Sequence, residues 1–193
     1  MMLRCQVLPG LPPDGPMALP IGAGGWTGAW GGGREGLVVR FYPDNSETWV
    51  ANFQPGSSGW EGVLEHPNGK HLIVLASGQG YVVDPVAHQL VGTLSGSIQH
   101  VIELPDLEAI VFSDGLGFEA IKSDGIWWSS PRISWDEIRN IKVEGTILRG
   151  EASAPTGDGN TWMPFTLDLI TGQCVDGVYA RAFSVGPAPD HKN

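Results

Sequence analysis

The sequence predicts an all-β protein made of antiparallel hairpins, and three observations carry that prediction. Two stretches repeat one plan: Gly80-Tyr-Val-Val-Asp-Pro-Val-Ala-His-Gln-Leu-Val-Gly-Thr-Leu94 and Pro164-Phe-Thr-Leu-Asp-Leu-Ile-Thr-Gly-Gln-Cys-Val-Asp-Gly-Val178 each read as a β run, an Asp-led turn and a second β run. Asp84 and Asp168 stand where an Asx turn begins, because a carboxylate there reaches backbone N–H groups two residues on. The 193 residues also include 28 Gly and 15 Pro, the load of turn formers that many short strands require. Finally, apolar residues recur at period two or in short runs, and helix-start signals occur at one place only.

The elements follow in order. Residues 1–35 carry Leu8-Pro-Gly-Leu-Pro-Pro-Asp-Gly-Pro16 and a glycine-rich stretch from Ile21 to Gly33 that holds Trp26 and Trp30. Gly and Pro at that density hold no helix and make poor strand interiors, so an irregular arm pinned by the two indoles is expected. The glycines do not form a nucleotide loop, because no Gly-Lys-Ser/Thr ending follows them. Residues 36–185 are expected to form a single all-β domain and 186–193 a flexible tail.

Gly36–Tyr42 is a β run stopped by Pro43, and Thr48–Phe53 alternates until Pro55-Gly-Ser-Ser-Gly59. A short strand over Trp60–Leu64 leads to His66-Pro-Asn-Gly-Lys70, where Asn68-Gly69 signals a hairpin before the apolar strand His71–Ala76. After the Tyr81 hairpin, Ser97–Leu104 alternates and stops at Pro105; Glu108–Phe112 and Phe118–Lys122 each run into Ser-Asp-Gly. Gly125–Ser129, Asn140–Glu144, Thr146–Ala152, Thr161–Leu169 and Gln173–Phe183 complete the strands. Between them, Ser134-Trp-Asp-Glu-Ile-Arg139 reads as a short helix, with Ser134 as N-cap and Glu137 completing a capping box.

The spacing groups three or four strands into units of roughly 35–40 residues, the size of a propeller blade. With its aromatic–aliphatic strand, Asp168-Leu-Ile-Thr-Gly172 and returning strand, the Phe165 hairpin resembles the closing hairpin of blades in quinoprotein-like and YVTN-type β-propellers. Asp84-Pro-Val-Ala-His88 departs from that pattern, matching it at the aspartate and the flanking strands. The resemblance covers these two segments and implies an antiparallel, blade-like meander: a small or partial propeller, or an open stack of blades. A β-sandwich reusing the same hairpins is the alternative architecture.

Composition narrows the function. A net charge of −10 with eleven scattered basic residues excludes a phosphate-binding surface, so no nucleic-acid partner is expected. Two cysteines, Cys5 and Cys174, supply neither a CxxC motif nor a zinc ligand set. No signal-type apolar segment and no eighteen-residue apolar run is present, so a cytoplasmic protein without membrane contact is expected. No cofactor motif occurs.

The densest chemical cluster is Trp127-Trp-Ser-Ser-Pro-Arg-Ile-Ser-Trp-Asp-Glu137. Trp127, Trp128, Arg132, Trp135, Asp136 and Glu137 combine the aromatic and guanidinium groups that anchor protein interfaces with two carboxylates. Trp127 and Trp128 face opposite sides of a strand, so at least one is open to a core role. Catalytic patterns are thin. Glu103, Asp106 and Glu108 are neighbours without reason to converge, and no G-x-S-x-G elbow occurs. His66 and His71 flank a turn and can approach, but no H-x-H or H-E-x-x-H motif accompanies them. The loop Thr156-Gly-Asp-Gly-Asn160 is oxygen-rich, yet it falls short of an EF-hand.

The expected function is therefore a non-enzymatic, cytoplasmic protein-binding module. In its narrowest form it is a bacterial antitoxin-like immunity protein that covers a basic toxin or enzyme. The alternative is a carbohydrate- or small-polar-ligand-binding protein or hydrolase with carboxylates in a pocket. A third possibility uses the N-terminal arm or an edge strand to join copies of the chain.

Overall fold

A computed structural model describes residues 4–22, 35–44, 46–57, 59–156 and 159–177. Trp26, Trp30 and the glycine run, Ser58, the centre of the 156–160 loop and the tail from residue 178 lie outside the described residues. The rest is all-β: sixteen strands in four four-stranded sheets, none closed into a barrel.

The first sheet has the order β1-β3-β4-β2, with β1 Cys5–Leu8, β2 Leu19–Ile21, β3 Leu37–Phe41 and β4 Trp49–Phe53. β2 lies parallel to β4, while the other pairs are antiparallel. Two strands thus form within the segment expected to be irregular. The register explains it: Cys5–Leu8 pairs Phe41 back to Val38, and Leu19–Ile21 pairs Ala51–Phe53, so ladder bonds to the β3–β4 hairpin offset the poor local propensity.

The other three sheets are sequential meanders: β5 Gly62–Glu65 to β8 Gln89–Thr93, β9 His100–Leu104 to β12 Gly125–Ser129, and β13 Ile138–Glu144 to β16 Cys174–Asp176. Between their ends lie β6 Leu72–Ala76, β7 Gln79–Asp84, β10 Ala109–Ser113, β11 Phe118–Lys122, β14 Ile147–Thr156 and β15 Gly159–Asp168. This is the blade-like all-β class that the hairpin pattern predicts. A 3-10 turn, Pro105–Leu107, joins β9 to β10, and the described residues contain no α-helix.

The helix expected over Ser134–Arg139 is therefore corrected. Ser134 Oγ donates to Glu137 O and accepts the Ser153 N–H at 2.9 Å, while the Trp135 N–H bonds Ser153 O at 2.9 Å. The residues that read as a capping box lash a bend to β14, because cross-strand bonds satisfy the backbone that a one-turn helix would leave open. The β14–β15 hairpin is also longer than expected, pairing Ile147↔Asp168 through Thr156↔Gly159.

The chain divides into two compact units, Met1–Asp114 with Ile121–Gly125, and Gly115–Ala120 with Ile126–Asn193. In the first unit, alternation along β6 buries both faces of the strand. Leu72, Val74 and Ala76 join Val39, Phe41, Trp49 and Phe53, while Ile73 and Leu75 join Ile98, Ile110 and Phe112. A strand covered on both sides reads as a continuous apolar run, and Leu-Ile-Val-Leu-Ala is one. Phe41 stacks on Trp49 with centroids 4.3 Å apart, and Tyr81 donates its hydroxyl to Gln54 O at 2.6 Å. In the second unit Phe118 meets Phe165 at 5.8 Å, and the Phe165 ring lies against Gly150, where a Cβ would approach it to 2.7 Å.

The repeated turn takes the same form twice. Asp84 Oδ1 accepts the N–H groups of Val86 and Ala87; Asp168 Oδ1 accepts those of Ile170 and Thr171. Each loop ends four residues on in a left-handed residue, His88 with φ 54° and Gly172 with φ 71°.

Candidate functional site

The predicted cluster lies within the second unit, and the structure sorts its residues by role. Trp128, on β12, is buried, and its indole N–H donates to Leu169 O at 2.9 Å. Its ring covers Gly172, where any Cβ would come within 2.6 Å. Trp128 is thus a core residue that clamps the Asp168 turn, and it cannot itself meet a partner. Trp127 is half-buried, with its ring 6.2 Å from that of Trp128.

Arg132, Trp135, Asp136 and Glu137 are exposed. Eight tryptophans occur in the chain; setting aside Trp26 and Trp30, Trp135 is the one among the six described whose side chain stands in solvent, at 51% exposure. Arg132 organises the bend beneath it. Its Nε donates to Ser134 O at 2.8 Å, Nη2 donates to Trp135 O, and the guanidinium sits 5.3 Å from the centre of the Trp135 ring. A cation over an exposed indole contributes about 0.5–1 kcal/mol, so it helps fix the ring before any ligand arrives. With Ser134 tied to β14, the segment presents an ordered aromatic plate followed in sequence by two exposed carboxylates.

Sequence reasoning missed three other groupings. On the fourth sheet, Arg139 donates to Glu151 at 2.9 Å and lies 3.7 Å over the Trp162 ring, while Asn140 donates to the same carboxylate at 2.7 Å. These two bonds and the guanidinium charge hold the Glu151 carboxyl below its ordinary range. The pairing follows from register, since Arg139 faces Glu151 across β13–β14, and only the strand alignment reveals it.

The second grouping is Ser46 Oγ, 3.0 Å from His88 Nε2, with the imidazole stacked on Trp49 at 4.9 Å. The third is a cleft of about 440 Å³ in the first unit, lined by Glu35, Ser57, Glu61 and Ser77. Glu35 accepts the Leu11 N–H at 2.9 Å, and Glu61 accepts the Ser77 hydroxyl at 3.3 Å. Its walls are glycine-built: a Cβ on Gly36 would sit 1.9 Å from Phe53 O, and one on Gly56 2.5 Å from Ser77 O. No motif announces such a cleft, because its walls come from segments far apart in sequence.

The remaining candidates take ordinary places. Glu103, Asp106 and Glu108 are exposed, on β9 and around the 3-10 turn. His66 and His71 do approach, with rings 5.9 Å apart and Asn68 between them. Among the described residues no three His, Cys, Asp or Glu side chains gather as a metal-binding group. Cys5 and Cys174 are free, half-buried thiols, both raised above the ordinary thiol range by burial first. Among the described residues no helix is long and apolar enough to cross a membrane.

No protein-family model matches the chain, and no curated protein matches it. One solved structure, titled as the crystal structure of the eukaryotic initiation factor, superposes with a TM-score of 0.41 at 9% identity. The alignment covers 74% of this chain and 39% of that one, a likeness too loose to carry an argument.

Proposed function

We propose that the chain is a non-enzymatic protein-binding module whose contact surface centres on Trp135, with Arg132, Asp136 and Glu137 around it. The observation that carries this reading is the exposed indole held in place by an arginine that ties itself to the bend through Nε and Nη2. A large apolar ring left in solvent has a cost, and a pre-ordered one loses little entropy on docking. Trp and Arg are the residues on which interface energy concentrates. Asp136 and Glu137, on a chain of net charge −10, favour a basic partner and speed the encounter with it. A bacterial immunity protein that covers a basic toxin or enzyme has this chemistry.

The test is capture on the immobilised chain, followed by titration with the purified captured protein. Trp135→Ala should weaken one-to-one binding by about tenfold or more, the effect of losing a hot-spot aromatic. Asp136→Lys/Glu137→Lys should chiefly slow association and reduce its salt sensitivity. Equal capture by wild type and Trp135→Ala, or no specific capture at all, would overturn the reading.

The Glu35–Glu61 cleft favours a second reading, a site for a small polyhydroxylated or cationic molecule. It ranks lower because both carboxylates already accept hydrogen bonds from the protein's own Leu11 N–H and Ser77 hydroxyl. A thermal-shift screen with sugars and diamines, repeated on Glu61→Gln, separates the two readings.

A further inference from the structure

The turn joining β5 to β6 contains an arrangement of donors and acceptors that admits one protonation state. Asn68 Oδ1 accepts two backbone N–H groups, from Lys70 and His71, both at 3.0 Å. The other end of that side chain is therefore the NH2 group, and it points at His71 Nδ1, 3.0 Å away. An NH2 can only donate, so His71 Nδ1 must be the bare, accepting nitrogen. On the other side, the Asn68 backbone N–H donates to His66 Nδ1 at 3.1 Å, so that nitrogen must be bare as well. One asparagine thus holds two imidazoles through their Nδ1 lone pairs, and both hydrogen bonds require neutral rings.

We propose that this turn is an acid-loosened latch: protonation of His66 sets an Nδ1–H against the Asn68 N–H, breaks that bond and loosens what the turn holds. The turn is then left to its backbone bonds, Gly69 N–H to His66 O at 2.9 Å and His66 N–H to His71 O at 3.1 Å. The held group is Arg4, at the entrance to β1. Its guanidinium donates to Lys70 O at 2.6 Å and to Gly69 O at 3.4 Å, and it pairs with Glu65 at 2.7 Å. Loosening the turn slackens two of the three oxygens that anchor Arg4, and with them the hold on the Arg4 side chain at the start of β1, whose backbone O still accepts the Tyr42 N–H.

His66 is the sensor because it is buried, with 8% of its surface exposed. Burial first, then the neighbouring His71, push its pKa below the ordinary histidine value, against a raising contribution from Asn68. His71 is held on both ring nitrogens, by Asn68 at Nδ1 and with its Nε2 3.9 Å from Asp84 Oδ2. The other charged or titratable groups around the turn are Arg4 and Cys5 from the first strand, Glu65 on β5 and Lys70 within the turn. A histidine held neutral in the fold and free to charge when unfolded contributes stability that is full above about pH 6.5 and declines as pH falls toward its folded pKa.

The experiment follows the Asn68 backbone and side-chain amide resonances, with the His66 ring signals, in the full chain from about pH 8 to about pH 5. The expected result is that the Asn68 backbone amide shifts and loses protection with the same midpoint as the His66 ring, and that the Arg4 side chain becomes mobile in step. His66→Asn, which keeps an acceptor near the Nδ1 position but cannot titrate, should abolish the response. If that variant does not fold, His71→Asn serves instead: the response should remain, because the Asn68 N–H to His66 Nδ1 bond is untouched. An Asn68 amide that does not change while His66 titrates, an undiminished response in His66→Asn, or its loss in His71→Asn would each overturn the proposal.

Discussion

At the residue scale, the two Asp-led turns show how one backbone conformation can be met by two different side chains. The turn needs a left-handed residue at its end, and Gly172 supplies it without steric cost. Trp128 then packs on the bare Cα, so Gly172→Ala combines an unfavourable φ with a ring only 2.6 Å from the new Cβ. That variant should lose about 1–3 kcal/mol in urea unfolding, and an unchanged midpoint would contradict the packing described. His88 occupies the same place in the other turn, and its ring is used: it stacks on Trp49 and meets Ser46. Tyr81→Phe should cost about 1 kcal/mol, since Gln54 O would lose the hydroxyl donor. Burial pushes the Tyr81 phenol up to about 12, so its spectrophotometric titration should lag the usual tyrosine range, and an ordinary midpoint would refute that placement.

At the element scale, strands and turns were legible and boundaries less so. Leu72–Ala76 was legible because five successive apolar residues bounded by turn formers suit a strand buried on both faces. The Asx turns were legible because an aspartate between two β runs has one efficient local use. Cys5–Leu8 and Leu19–Ile21 were not, since their strand state depends on partners thirty or more residues distant. Ser134–Arg139 misled for a related reason: the side chains that cap a helix also bond a neighbouring strand, and local sequence does not say which partner is present. The Asp84 carboxyl lies below its ordinary pKa, chiefly through the Ala87 N–H, so its contribution is present at neutral pH and fades as pH falls below about 4. Asp84→Ala should therefore lower stability at neutral pH and matter less in strong acid. Parallel pH–stability curves for wild type and variant would refute that use of the turn.

At the scale of the whole molecule, successive four-stranded sheets of the first unit bury one another's faces, and the second unit carries the proposed contact surface. The cluster Trp127–Glu137 was legible as a cluster, but not in its division of labour. Alternation along β12 assigned one tryptophan to the core without saying which, and only the bond from Trp128 to Leu169 O decides it. The central claim is that the ordered face around Trp135 docks a basic protein. The most direct measurement is hydrogen–deuterium exchange on the complex with the captured partner, beside the free chain. The account predicts new protection concentrated over residues 132–137, with little change at the cleft between Glu35 and Glu61. Protection confined to the cleft, with residues 132–137 exchanging as in the free chain, would contradict it.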